Sequence, residues 1–219
     1  MPRLALLLLA AFAAGTSAAD LKLPAVFSDH MVLQRDKAVA VWGWADADEE
    51  ISVEFAGQKK TAKADASGKW SLRLDPLMAS AESRKLTATG KADRKAEVSD
   101  VLVGDVWLGS GQSNMAMGVS RSKDFEKEKA AASYPLIRHF KEDSGAAATV
   151  QAQAKGKWLA CTPDNVGGFS ATLYFFGREI HREVGVPVGL INTSVGGTPI
   201  ESWIAPEVQE TKPELSAAL

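Results

Sequence analysis

Residues 101–115 read VLVGDVWLGSGQSNM, and this stretch decides the fold. The apolar run from Val101 to Leu108 predicts a buried strand, and the glycine turn after it presents Ser113. An open α/β sheet displays a nucleophilic serine in this way, at the carboxyl end of a strand where a helix begins. We therefore predict that Ser113 is the nucleophile of a serine esterase.

The segments that follow alternate between helix and strand patterns. A helix is predicted over residues 171–184, capped by Ser170 and ended by Gly185. The apolar residues that share one face of it are Leu173, Phe176, Ile180 and Val184. A second buried strand, VPVGLI at 186–191, ends in the turn NTSVGGT at 192–198. This order of strand, helix and strand predicts a doubly wound parallel sheet.

The two glycine turns are expected to meet, because the carboxyl ends of parallel strands lie at one edge of a sheet. The backbone N–H of Ser113 and an N–H of the Gly196-Gly197 pair would then bind the oxyanion of an acyl-transfer reaction. Ser110 is the competing hydroxyl, and we interpret it as a turn former. The turn also imitates a dinucleotide-binding fingerprint, but Asn114 occupies the place of the third glycine.

Residues 20–100 have a different pattern, in which short strands alternate with turn residues. The predicted strands are Val39–Trp44, Ile51–Phe55, Trp70–Leu74 and Lys85–Thr89. They indicate a small antiparallel β-sandwich. The period changes at 98–101, so we predict an accessory domain at 20–100 and part of an α/β domain at 101–219.

Residues 1–19 predict a secretory signal, with Arg3, a short apolar run and small residues up to Ala19. The chain is therefore expected to be exported, to the periplasm or the extracellular space, and to have no membrane span. A net charge of −2 argues against a nucleic-acid partner. The single cysteine, Cys161, excludes an internal disulfide, and we interpret it as buried rather than catalytic.

The three histidines are His30, His139 and His181. They show no metal-ligand spacing and there is no cysteine pair, so we predict no metal site and no cofactor. Each is interpreted as structural or solvated. The sequence leaves the oligomeric state open.

Four blocks along the chain carry a more specific signal. They are LPAVFSDHMVLQ at 23–34, VGDVWLGSGQSNM at 103–115, GGFSA at 167–171 with YFFG at 174–177, and GLINTSVGGTPIESW at 189–203. Together they closely resemble the sialate 9-O-acetylesterase family, within the SGNH (GDSL-like) hydrolases. The resemblance covers nearly the whole chain after residue 19.

The resemblance implies removal of O-acetyl groups from sugars, with sialic acid the named substrate and plant-polysaccharide esters close relatives. It implies an acyl-enzyme on Ser113 and oxyanion donors from Ser113 and a glycine, for which we favour Gly197 over Gly196. The implied fold is an SGNH-type doubly wound sheet, preceded by a sandwich that packs against it.

The chain departs from the family in two blocks, a Gln-Gly-Glu and a C-terminal Asp-x-x-His, which do not occur here. In the family the histidine deprotonates the serine and the aspartate orients it. The residues three positions before the histidines are Phe27, Leu136 and Arg178. We therefore expect an N-terminal portion of a longer enzyme or a truncated gene product, inactive and marginally folded alone, or assembled with a chain that supplies the pair.

A non-catalytic carbohydrate-binding protein is the alternative function. In that case Trp42, Trp44 and Trp70 would stack on sugar rings. Their positions in strand patterns instead favour the core of the sandwich for all three.

Overall fold

The computed structural model describes residues 20–145, 147 and 149–212. The predicted secretory signal at 1–19 lies outside the described residues. In the described part of the chain, no helix is long and apolar enough to cross a membrane.

Ten strands and four α-helices make up the regular structure of the described residues. The strands β1 to β10 are Val32–Gln34, Val39–Trp44, Glu50–Phe55, Gln58–Lys63, Lys69–Leu74, Ser80–Thr89, Lys95–Gly109, Tyr134–Lys141, Trp158–Cys161 and Val188–Asn192. The helices α1 to α4 are Ser113–Ala116, Phe125–Ala131, Ala171–Val184 and Pro206–Gln209. Four single-turn 3-10 helices connect them, at Lys91–Asp93, Val119–Arg121, Val166–Gly168 and Ile200–Trp203.

Eight of the strands form one mixed sheet. Its order is β4-β3-β6-β7-β10-β8-β9, and β1 pairs with β7. The strands β1, β7, β10 and β8 run parallel where they pair, whereas β4, β3, β6 and β9 pair antiparallel with their neighbours. β2 and β5 form a separate antiparallel pair. The predicted α/β class, with a small antiparallel sheet before the parallel strands, is confirmed.

The strand β7 joins the two halves of the molecule. Its first residues, up to Val103, pair antiparallel with β6. Its last five, Asp105 to Gly109, pair parallel with β10. The strand therefore runs without interruption through the position at which the sequence pattern changes, and the accessory strands extend the sheet that carries the serine turn.

Two hydrophobic cores stabilise the fold. The larger one packs the two-stranded sheet against the antiparallel strands, with Val41 and Leu74 facing Ile51 and Leu86, all fully buried. The smaller one lies beneath α3 on the parallel strands and includes Leu190. Burial of these apolar side chains is the main stabilising contribution to both halves.

The ends of α3 agree with the sequence prediction. The hydroxyl of Ser170 accepts a hydrogen bond from the backbone N–H of Leu173 at 3.3 Å. Gly185 ends the helix in the left-handed conformation, with φ of 74°. The N-cap satisfies one of the N–H groups that a helix start leaves without an intrahelical partner.

The predicted apolar face of α3 is wrong in part. The residues against the sheet are Ala171, Leu173, Tyr174 and Gly177. Phe176 is 40% exposed and Val184 is 46% exposed. Gly177 explains why α3 buries a different face from the predicted one, because a Cβ there would lie 2.8 Å from the side chain of Leu190 in β10. The helix approaches the sheet along this glycine and turns Phe176 outward.

Candidate active site

Ser113 is the first residue of α1, four residues after the end of β7. Gly111 lies in the intervening turn with φ of 124°, a conformation that favours glycine. The side chain of Ser113 is exposed and faces a cavity of about 340 Å³. The cavity is lined by Ser110, Gly111, Gln112, Ser113, Asn114, Met115 and Thr172. The turn thus presents the hydroxyl outward, as the sequence predicts.

Gln112 is the immediate hydrogen-bond partner of this serine. Its Oε1 accepts from the Ser113 hydroxyl at 2.8 Å and from the Ser113 backbone N–H at 3.3 Å. An amide oxygen is a hydrogen-bond acceptor but a very weak base, so this contact orients the hydroxyl without activating it. The amide oxygen also occupies the backbone donor that an oxyanion at Ser113 would use.

The second glycine turn lies directly beside the first. The backbone N–H of Thr193 donates to the carbonyl of Gly109, and that of Val195 donates to the carbonyl of Gly111, both at 3.0 Å. These two bonds continue the β7–β10 pairing past the strand ends. They bring the loop after β10 against the loop that carries Ser113.

Gly196 is the glycine that reaches the serine. A Cβ built on Gly196 would lie 3.9 Å from the Ser113 Oγ. Gly197 follows with φ of 83°, and a Cβ built on it would have no heavy atom within 4 Å among the described residues. The structure therefore brings Ser113 and Gly196 together and places Gly197 one residue further along the turn.

Buried polar groups fix the shape of the second turn. Asn192 Oδ1 accepts from the Ser194 backbone N–H at 2.9 Å and from its hydroxyl at 2.6 Å. Both side chains are 2% exposed. Lys141 Nζ donates to the Ser194 carbonyl at 2.8 Å. Satisfied buried hydrogen bonds of this kind hold a loop in one conformation, which a preorganised site requires.

Hydroxyl groups at the start of α3 hydrogen-bond the carbonyl groups of α1. The Ser170 hydroxyl donates to the carbonyl of Met115 at 2.6 Å. The Thr172 hydroxyl donates to the carbonyl of Asn114 at 3.0 Å. A helix of only four residues has little stability of its own, so these contacts to the carbonyls of α1 keep it in place.

His139 is buried and has a structural role. It is 2% exposed, its Nε2 accepts from the Ser170 backbone N–H at 3.3 Å, and its ring stacks on Phe169 with centroids 4.5 Å apart. Burial, together with the nearby charge of Lys141, lowers the pKa of His139 to about 4. The imidazole is neutral at physiological pH, and one nitrogen is already in use.

The other two histidines lie against other partners. His30 Nδ1 is 2.7 Å from Asp100 Oδ2, and His181 Nδ1 is 2.7 Å from the carbonyl of Val186. Asp100 precedes Gly109 by nine residues of β7, which corresponds to roughly 30 Å along a strand. Within the described ranges, no histidine hydrogen-bonds the Ser113 hydroxyl.

The Cys161 thiol is not a second nucleophile. Cys161 is fully buried, and burial raises the pKa of its thiol to about 12, so it stays protonated. In residues 20–145, 147 and 149–212, no group of three or more histidine, cysteine, aspartate or glutamate side chains could hold a metal ion. Of the hydroxyls that line the cavity, Ser113 is the one at the start of α1 and beside the Gly196 turn.

Gln112, Asn192 and Ser194 are parts of the site that sequence reasoning missed. The sequence signal for Gln112 is weak, because it is only the N-cap position of a four-residue helix. The sequence signal for the Asn192–Ser194 contact is stronger, because an asparagine side chain commonly hydrogen-bonds the backbone two residues ahead. That turn chemistry points to a rigid loop before the two glycines.

Comparison with known proteins gives consistent results. The family model for carbohydrate esterase, sialic acid-specific acetylesterase, matches residues 103–213. The chain is 32% identical over 218 aligned positions to sialate O-acetylesterase of Rattus norvegicus, covering 91% of this chain and 40% of that one. It is 33% identical over 199 positions to the Homo sapiens protein of the same name, covering 80% and 37%.

A solved structure agrees with these matches. The crystal structure of a novel carbohydrate acetylesterase from Xanthomonas citri superposes with a TM-score of 0.83 at 38% identity, covering 89% of this chain and 45% of that one. The chain spans about two fifths of the length of the curated relatives it matches.

Proposed function

Because the chain belongs to the sialic acid-specific acetylesterase family of carbohydrate esterases, we propose that it carries the nucleophile of a carbohydrate O-acetylesterase. The observation that carries the proposal is the junction of the two glycine turns, which sets Gly196 beside the Ser113 hydroxyl. The substrate is an O-acetylated sugar, either sialic acid or a polysaccharide acetyl ester. The proposed place of action is the periplasm or the extracellular space.

The reaction proceeds in two steps through Ser113. The Oγ attacks the acetyl carbonyl carbon, and the tetrahedral intermediate then releases the sugar hydroxyl and leaves an acetyl ester on Ser113. Water attacks that ester in the second step, releases acetate and restores the serine. Each attack places a negative charge on the former carbonyl oxygen.

Backbone N–H groups of the two turns stabilise that charge. The Ser113 N–H lies at the start of α1, and we assign the second donor to an N–H of the adjacent Gly196-Gly197 turn. A Cβ built on Gly196 would lie 3.9 Å from the Ser113 Oγ, which makes Gly196, rather than the Gly197 favoured from the sequence, the nearer of the two candidate residues. A single donor of this kind is worth about 3 kcal/mol in the transition state. Gln112 Oε1 must rotate away from the Ser113 N–H to admit the oxyanion.

The general base and its orienting carboxylate come from outside these residues. Supporting this, His139 is neutral and bonded to Ser170, and His30 and His181 lie against Asp100 and Val186. The family's Asp-x-x-His block is the proposed source of the pair. Without it the serine keeps its proton at neutral pH and reacts slowly.

Hydrolysis of an activated acetyl ester tests the proposal. The purified chain is assayed alone and with a polypeptide that carries the Asp-x-x-His block, beside Ser113→Ala and Ser110→Ala variants. Ser110 is the matched control, because it is an exposed serine that lines the same cavity.

We expect no turnover by the chain alone, turnover after the block is added, and loss of that turnover in Ser113→Ala but not in Ser110→Ala. Full activity in Ser113→Ala would remove the nucleophile from the proposal. Substantial turnover by the chain alone would show that the base lies within these 219 residues.

A further inference from the structure

The outer face of the two-stranded sheet carries two indole rings far along the chain from Ser113. Trp42 and Trp44 alternate with Gly43 on β2, so both side chains point to the same face. Across the sheet, Ser71 pairs with Trp42 and Lys69 pairs with Trp44. All five residues line a cavity of about 480 Å³ that shares no lining residue with the cavity at Ser113.

The rings are only partly in the core, contrary to the expectation for two of the three tryptophans. Trp70 is 3% exposed, as predicted, but Trp42 is 38% exposed and Trp44 is half-buried. Trp42 packs edge-to-face on the buried Phe27, with centroids 4.6 Å apart and an angle of 74°. A ring held by such a contact loses little conformational entropy when a ligand covers its free surface.

The Trp44 position is held by the backbone. Its N–H donates to the carbonyl of Lys22, and the N–H of Lys22 donates to the Trp44 carbonyl, both at 2.9 Å. These bonds fix the backbone at Trp44, and the contact with Phe27 fixes the ring of Trp42; we call the two indoles the platform. Their spacing along the strand is about 7 Å, two residues at the rise of a strand.

Polar groups at the rim of the platform can bind hydroxyls. Among the described residues, three groups donate hydrogen bonds to Asp65, and all three donate to its Oδ1. They are the Ser67 N–H and hydroxyl, both at 2.7 Å, and the Lys69 N–H at 3.0 Å. The Oδ2 of Asp65 is left able to accept from a ligand. Carboxylates that accept several hydrogen bonds stay ionised, and these bonds lower the pKa of Asp65.

Trp70 pairs with Gly43, so its side chain lies on the opposite face of the sheet from Trp42 and Trp44. Its Nε1 is buried without a hydrogen-bond partner in the described part of the chain, although Trp70 also lines the cavity. Gly43 admits the edge of this indole, because a Cβ there would lie 2.8 Å from Trp70 Cζ2. The indole of Trp70 therefore supports the backbone between the two partly exposed rings and does not itself bind a ligand.

The charges around the platform are balanced. Lys63 pairs with Asp48 at 2.8 Å, and Lys69 lies close enough to Asp65 to act on its charge. Neither lysine therefore gives the face a strong positive field. This pattern fits an uncharged ligand better than a polyanion.

We propose that this face binds a neutral polysaccharide, with sugar rings stacked on Trp42 and Trp44 and hydroxyls bound by Asp65. Aromatic surface with a few fixed polar groups is the usual composition of a small-ligand site. The polymer class follows from the proposed function, whereas the site itself is independent of Ser113. Its effect is to hold a polymer near the esterase site and raise the local concentration of acetyl esters.

Binding to a polymer without acetyl groups separates this proposal from the esterase chemistry. Retardation of the full chain is measured by native electrophoresis in gels that contain deacetylated xylan, and again in gels that contain polysialic acid. The variants are Trp42→Ala, Trp44→Ala and Ser71→Glu, the last of which covers the platform without removing a packed side chain. Trp107→Ala is the matched control, since Trp107 is 42% exposed and lies outside this cavity.

We expect xylan to retard the parent, Trp107→Ala and Ser113→Ala equally, and to retard the three platform variants at least tenfold more weakly. Ser71→Glu keeps the test valid if a tryptophan variant fails to fold. Absence of retardation of the parent by xylan overturns the proposal. Retardation that survives all platform substitutions overturns it, and so does binding to polysialic acid alone.

Discussion

Replacing His139 gives a quantitative test of the assignment of this residue as structural. The folded pKa of His139 is about 4, because burial and the charge of Lys141 disfavour the imidazolium. In the unfolded chain an unhindered histidine has a pKa of about 6.5. The unfolded state therefore takes up a proton more readily, and stability contributed by the neutral imidazole is present above about pH 6.5 and lost as the pH falls toward 4.

The size of the effect follows from the same two pKa values. Between pH 7.5 and pH 5, the free energy of unfolding should fall by about 2 kcal/mol through His139 alone. Glutamine at this position keeps an acceptor for the Ser170 N–H but does not titrate. We expect His139→Gln to be less stable than the parent at pH 7.5, and the gap to shrink by about 2 kcal/mol at pH 5.

Urea unfolding at pH 7.5, 6 and 5 measures this difference. His181→Gln is the control, because it removes an imidazole from α3 and leaves His139 in place. The fall of about 2 kcal/mol that comes from His139 should persist in this variant. A constant gap between His139→Gln and the parent across the three pH values would refute the burial argument and reopen His139 as a titrating group near the site.

Three further substitutions test the scaffold of the site. Gly109→Ala places a Cβ 2.6 Å from the Leu173 side chain and should destabilise the fold by about 1–3 kcal/mol in thermal or urea unfolding. Ser170→Ala removes the cap of α3 and the bond to Met115, with an expected loss of about 1–2 kcal/mol, and an unchanged stability would contradict the cap assignment. Gly197→Ala, at φ of 83°, should cost about 1 kcal/mol by backbone strain, and a neutral result in urea unfolding would show that the turn adapts.

Local sequence signals were sufficient for the elements that carry the site. The apolar run ending at Leu108 became the end of β7, and the serine turn begins α1 as predicted. Ser170 and Gly185 end α3 at the predicted places, because caps depend on a few neighbouring residues. The two glycine turns met, since parallel strands bring their carboxyl ends to one edge.

Features that depend on tertiary contacts could not be predicted from the sequence. The face of α3 was misjudged because Gly177 has no hydrophobic signal, yet it decides how closely the helix approaches β10. The exposure of Trp42 was missed because a strand pattern does not say which face of an outer sheet is covered. Gln112 depends on a side-chain conformation, which periodicity does not report.

Identification of the acetylated residue tests the central claim most directly. The protein in its active form, alone or with the polypeptide that restores turnover, is mixed with an activated acetyl ester and quenched in acid. Its peptides are then analysed by mass spectrometry. The account predicts an acetyl ester on Ser113. Acetylation of Ser110 instead, or turnover with no acetyl group trapped on Ser113 under conditions that slow its hydrolysis, would contradict it.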